Sequence, residues 1–185
     1  VATTLEDYRQ QVSEALLALP RPRVVVGASL GGLLALQVAA QADAVVVVNP
    51  LPPAPWHREF PGREWADVAP WQRNARLAST RAALTDADDA TALYACRHWR
   101  DESGGVLRAA YAGIEVERPA CPALFVVSAK DEDVSPHLSI EIVKEWQAER
   151  LETLATSHVG PLLGRHAAQI ASQTVAWLNT ALPLR

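Results

Sequence analysis

The chain has 185 residues, 49% of them apolar, which is enough for one globular domain with an ample core. Its net charge of -4 and its lack of any Lys/Arg cluster exclude a nucleic-acid partner, and no apolar run approaches the length of a bilayer span. Small substrates without strong negative charge fit this balance best.

In the first segment Leu5, Tyr8, Val12, Leu16 and Leu19 recur at helical spacing, with Thr3 or Thr4 as N-cap and Pro20 as the stop. Residues 23–27 form the first expected strand, and it runs directly into Gly27-Ala28-Ser29-Leu30-Gly31-Gly32. A Gly-x-Ser-x-Gly turn between a strand and a helix lifts the serine hydroxyl clear of a sheet, so Ser29 is the candidate nucleophile. The helix expected over residues 30–41 directs its free N–H groups at the same point, which makes the Leu30 N–H a candidate oxyanion donor. Glycine-rich turns of this kind also occur in phosphate-binding loops, so the motif alone leaves both uses open.

The β-branched run 44–48 is the second strand, closed by Asn49-Pro50 and Pro52-Pro53. Residues 123–128 form the third, 150–155 a weaker fourth, and residues 162–178 the last helix, with Ile170, Val175 and Leu178 on its buried side. Alternation of strands with helices points to the α/β class, a mostly parallel sheet flanked by helices in a single domain over 1–185. The stretch 53–119 breaks the rhythm and reads as an inserted helical cap. It holds Trp56, Trp65, Trp71 and Trp99, candidate substrate-binding rings, although packing of the cap onto the sheet is the commoner use of such residues. Asp86, Asp88 and Asp89 lack the glycine and distal Glu of a calcium loop and read as a solvated turn or helix cap.

After the third strand comes Ser128-Ala129-Lys130-Asp131-Glu132-Asp133-Val134, which places a carboxylate, Asp131 or alternatively Asp133, at the C-terminal edge of the sheet where open α/β folds bind ligands. After the fourth strand comes Thr156-Ser157-His158-Val159-Gly160, with a histidine at the same edge. A neutral imidazole can take the serine proton during attack and return it to the leaving group, while a buried carboxylate holds its tautomer. His57, His98, His137 and His166 lack such a context and receive no role.

On these residues the chain resembles the α/β-hydrolase superfamily from its first helix to its C-terminus. Gly27 to Gly32 resembles the family's elbow with Ala28 where many members carry histidine, Asp131 lies in a loop resembling Gly-x-x-Asp-x-x-Val with Ser128 in place of glycine, and His158 follows the final strand. The resemblance implies a serine hydrolase of small acyl esters or related carbonyl compounds, with Ser29, Asp131 and His158 as its catalytic residues and no metal or organic cofactor. It also implies further strands before the elbow, one of whose loops supplies a second oxyanion donor. Only one helix precedes Arg23 here, so an N-terminal part of the sheet is expected to be missing from it. That would leave the Ser29 strand near an exposed edge that invites pairing with a second copy. The alternatives are a small-molecule-binding or interaction protein on a hydrolase scaffold, and an acyltransferase. Cys96 and Cys121 are too far apart for a metal or redox pair and read as reduced, mostly buried thiols. With no secretory signal at the start of the sequence, they suggest a cytoplasmic location.

Overall fold

The computed structural model describes residues 3–71, 75–153 and 157–182. Helix α1 spans Leu5–Leu17 and opens on a reciprocal cap, in which Thr4 Oγ1 accepts from the Asp7 amide and the Asp7 carboxylate accepts from the Thr4 amide. Four strands, β1 (Val24–Ala28), β2 (Ala44–Val48), β5 (Ala123–Ser128) and β6 (Glu149–Thr153), form one parallel sheet in the order β1-β2-β5-β6. Ala155, expected to extend the last strand, lies outside the described residues.

The two faces of the sheet are sorted by the period of the strands. Val45, Val47, Phe125 and Val127 pack against α2 (Leu30–Gln37) and α6 (Pro136–Trp146). Val46, Val48, Leu124 and Val126 pack instead against Ile170 of α8 (Ala167–Ala181), with Trp177 and Leu178 beside it. Every residue of β2 is buried, as expected for a central parallel strand covered on both sides, and each such valine contributes about 1.5–3 kcal/mol of apolar burial. A further layer joins Leu5 of α1 and Leu33 and Leu34 of α2 to Val106 and Ala110 of α5 (Gly104–Tyr111). Strand β1 lies at the sheet's edge, and its Val26 is 58% exposed.

Two helix expectations are corrected. The second helix stops at Gln37 and continues as a 3-10 turn over Ala39–Gln41. The last helix is broken into α7 (Gly160–Leu163) and α8, because Gly164 leaves the helix in extended geometry. Val175 is 55% exposed rather than buried. Five residues turn a helix through about 140° from Ile170, whereas seven or eight return Trp177 and Leu178 to the core side.

Between β2 and β5 the chain forms a 3-10 turn (Trp56–Glu59), an antiparallel pair of β3 (Val68–Ala69) and β4 (Glu102–Ser103), and helices α3 (Leu77–Ala83), α4 (Asp89–His98) and α5. Its ends meet, since Ala54 bridges to Glu115 and its amide donates to the Ile114 carbonyl at 2.9 Å. Tyr8 of α1 donates to Glu102 at 2.7 Å, which ties this segment to the first helix and pushes the Tyr8 pKa up to about 12. Cys96 and Cys121 are free and half-buried, and burial pushes the Cys121 thiol pKa up. Among the described residues no helix is long and apolar enough to cross a membrane.

Candidate active site

Ser29 links β1 to α2 with φ +52° and ψ -122°, a backbone conformation that a residue with a side chain rarely adopts. The turn is held by its backbone bonds. The Ser29 amide donates to the Val48 carbonyl at 3.0 Å, and the Ser29 carbonyl accepts from Gly32, Leu33 and Leu51 at 2.9, 3.2 and 3.0 Å. Steric room decides the glycines: a Cβ at position 27 would lie 2.0 Å from the Gly31 carbonyl oxygen, and one at 32 would lie 2.7 Å from Pro50 Cβ, whereas one at 31 meets nothing within 4 Å. Leu30, the first residue of α2, lies where a helix leaves its amides without intrahelical acceptors.

The other two parts come from the same edge of the sheet. Asp131, 7% exposed, follows β5 in a turn that its own carboxylate fixes, because Oδ1 accepts from the Asp133 and Val134 amides, each at 2.9 Å. That leaves Oδ2 for His158, whose Nδ1 is 2.7 Å away. Of the two carboxylates weighed from the sequence, Asp131 is therefore the one bonded to the imidazole. Asp133 remains close, since one ligand atom from each of Asp131, Asp133 and His158 lies within 4.8 Å of the others. Burial pulls the His158 pKa down, but the bond from Asp131 and the charges of Asp131 and Asp133 outweigh it, holding the imidazole above its ordinary value.

Ser29, Leu30 and His158 line one cavity of about 440 Å³. Its remaining walls are Leu51, Leu107, Val134, Glu132 and Asp133, together with Phe60, Pro61, Gly62, Arg63, Trp65 and Tyr111. Tyr111 sits between Phe60 and Trp65, with ring centroids 4.9 and 5.6 Å away, and the Arg63 guanidinium lies 4.3 Å over the Trp65 ring. Arg108 of α5 holds the loop beneath, donating to the Trp65 carbonyl at 2.6 Å and to the Ala66 carbonyl at 3.1 Å.

Of the four tryptophans proposed from sequence, Trp65 alone lines this cavity; the other three are corrected. Trp56 packs edge-on against Trp146, centroids 5.6 Å apart, in the core beside α6. Trp71 and Trp99 pack on each other at 5.1 Å, and the Trp71 indole N–H donates to the Cys96 carbonyl at 2.9 Å. Each of the three is engaged in packing, the commoner use of such rings.

The acidic run divides in the same way. Asp88 caps α4 by accepting from the Thr91 amide at 2.8 Å, and Asp89 pairs with Arg81 at 2.6 Å. Asp86 reaches the histidine loop, where its Oδ1 accepts from Ser157 Oγ at 2.8 Å. It lies against Gly160 and Gly164, where an added Cβ would approach Asp86 Oδ2 to 2.5 Å in either case. The sequence marks Asp86 only as part of a solvated turn or cap, not as a partner of the histidine loop, and no sequence signal singles out the aromatic pair Phe60 and Tyr111.

A family model described as the alpha/beta hydrolase family matches residues 1–173. The chain belongs to this family. Among solved structures, the hydrolase fold of this chain is similar to a methylesterase from Arabidopsis (TM-score 0.69, 12% identity, 94% of this chain and 78% of that one). It is also similar to a monoacylglycerol lipase from Paleococcus ferrophilus (TM-score 0.65, 16% identity, 97% and 77%). Methylketone synthase I of tomato, in complex with 2-tridecanone, shares the fold as well (TM-score 0.73, 14% identity, 96% and 80%). A search of curated proteins finds no match. The family and its fold are thus established for the chain.

Proposed function

We propose that this hydrolase cleaves small acyl esters or related carbonyl substrates through an acyl-enzyme, with Ser29 as nucleophile. The observation that carries the reading is the convergence, on one cavity, of a strained Ser29 and an imidazole whose far nitrogen is held by Asp131 at 2.7 Å. The volume falls within the range of small-molecule sites, and the esterase and lipase among the structural neighbours support an ester as the substrate class.

In this mechanism Ser29 Oγ attacks the carbonyl carbon while His158 Nε2 takes its proton, and the carbonyl π electrons move onto oxygen. The Leu30 N–H stabilises that oxyanion, and Asp131 stabilises the imidazolium. Collapse breaks the bond to the leaving oxygen, which receives the proton from His158. Water then attacks the acyl-enzyme with His158 again as base, releasing the carboxylic acid and restoring Ser29. The segment 53–119 acts as a cap, with Phe60, Trp65 and Tyr111 forming the wall for the apolar part of the substrate.

Turnover of short-chain aryl esters, with and without an added alcohol, tests this. Ester hydrolysis that Ser29→Ala abolishes, with water as the main acceptor, is the expected result. Faster turnover with the alcohol would establish an acyltransferase instead, and ligand binding undiminished in Ser29→Ala without any turnover would establish a binding protein.

A further inference from the structure

We propose that Asn49 is a positioning residue whose side-chain amide holds the main chain of His158 so that the imidazole meets Asp131. Asn49 immediately follows β2, is 2% exposed and has φ +42°, a region that asparagine tolerates better than most residues. Its Oδ1 accepts from the Ser128 amide at 2.9 Å, and its Nδ2 donates to Ser128 Oγ at 2.9 Å and to the His158 carbonyl at 2.6 Å. The amide orientation follows from its partners, because a backbone N–H can only donate and a backbone carbonyl can only accept.

The residue type follows from the same pairing. An aspartate would keep the acceptor facing Ser128 but would set a carboxylate against the His158 carbonyl with no proton between them. Glycine would keep the backbone conformation and lose all three bonds. Ser128 also accepts from the Asp131 amide through its carbonyl, at 3.2 Å. Asn49 therefore braces both ends of the His158–Asp131 pair, joining the end of β2 to the loop after β5 and to the loop after β6. A shift of about 1 Å at such a pair costs on the order of 100-fold in rate.

This inference rests on the hydrolytic reading of Ser29, Asp131 and His158, and its test includes a readout that does not depend on turnover. NMR would follow the downfield His158 Nδ1 proton and the imidazole titration in the wild type, Asn49→Gly and Asn49→Asp. Leu16→Ala would serve as a control, destabilised in a separate cluster with Val38 and Ala42. In Asn49→Gly the downfield proton is expected to disappear and the His158 pKa to fall toward the ordinary imidazole value, with kcat lowered about 10–100-fold and KM little changed. Leu16→Ala should keep the wild-type signal and titration. If Asn49→Gly fails to fold, the near-isosteric Asn49→Asp is read by loss of the same proton. A folded Asn49 variant with the wild-type proton and titration would overturn the proposal. An Asn49-dependent proton in a wild-type protein without Ser29-dependent turnover would support the brace and overturn the hydrolytic reading.

Discussion

Asp131 divides its carboxylate between two tasks: Oδ1 is bound by the amides of its own turn, and Oδ2 lies 2.7 Å from His158 Nδ1. The carboxylate cannot swing away from the imidazole without breaking its own loop. Asp133, two residues on, acts on the same ring through its charge.

A pH profile follows from that charge. His158 must be neutral to accept the serine proton, and its pKa is held above the ordinary value of about 6.5, so kcat/KM should fall as pH drops through a pKa above that value. Asp133→Asn removes one negative charge that favours the imidazolium, so the acid limb should move to lower pH. An unmoved limb, or one displaced upward, would contradict this assignment.

The elbow glycines should respond oppositely to alanine. At Gly27 the new Cβ would lie 2.0 Å from the Gly31 carbonyl oxygen, so Gly27→Ala should destabilise by about 1–3 kcal/mol or more and disturb Ser29. Gly31 faces open space inside a helix, so Gly31→Ala should stabilise by about 0.5–1 kcal/mol. Denaturant titration of both variants measures the contrast, and equal losses would refute it.

Trp65→Ala and Trp71→Ala separate the lining ring from a packing ring. Trp65 lines the cavity and packs edge-on against Tyr111, so its removal should raise KM for esters with a bulky apolar group and leave KM for acetyl esters nearly unchanged. Trp71 packs on Trp99, so its removal should lower stability without changing that selectivity. Steady-state kinetics on an acyl-length series would decide the point, and matching KM profiles in the two variants would count against the proposed wall.

Contact between Asp86 and the glycines of the histidine loop predicts coupling. Gly160→Ala should be clearly destabilising in the wild type, where its Cβ meets the Asp86 carboxylate, and much less so in Asp86→Ala. A double-mutant cycle with an interaction energy of about 0.5–3 kcal/mol is expected, and additive effects would contradict the contact.

Ser29, Asp131 and His158 could be brought together from the sequence because each lies in the turn or loop that follows a strand, and parallel sheets gather such loops at one edge. The sequence favours Asp131 over Asp133, but the physical ground lies in the structure, where the turn leaves Asp131 Oδ2 facing the imidazole. Asn49 was visible only as the stop before Pro50, because its role is defined by Ser128 and His158, 79 and 109 residues away. The four tryptophans looked alike for a similar reason. Composition supplies rings, but partners such as Trp146 for Trp56 and the Cys96 carbonyl for Trp71 decide which of them pack.

The most direct test of the central claim is intact-protein mass spectrometry after incubation with a fluorophosphonate, with Ser29→Ala alongside. An activated Ser29 predicts a single adduct on the wild type and none on the variant. No adduct on folded wild-type protein, or an adduct that persists in Ser29→Ala, would contradict the account.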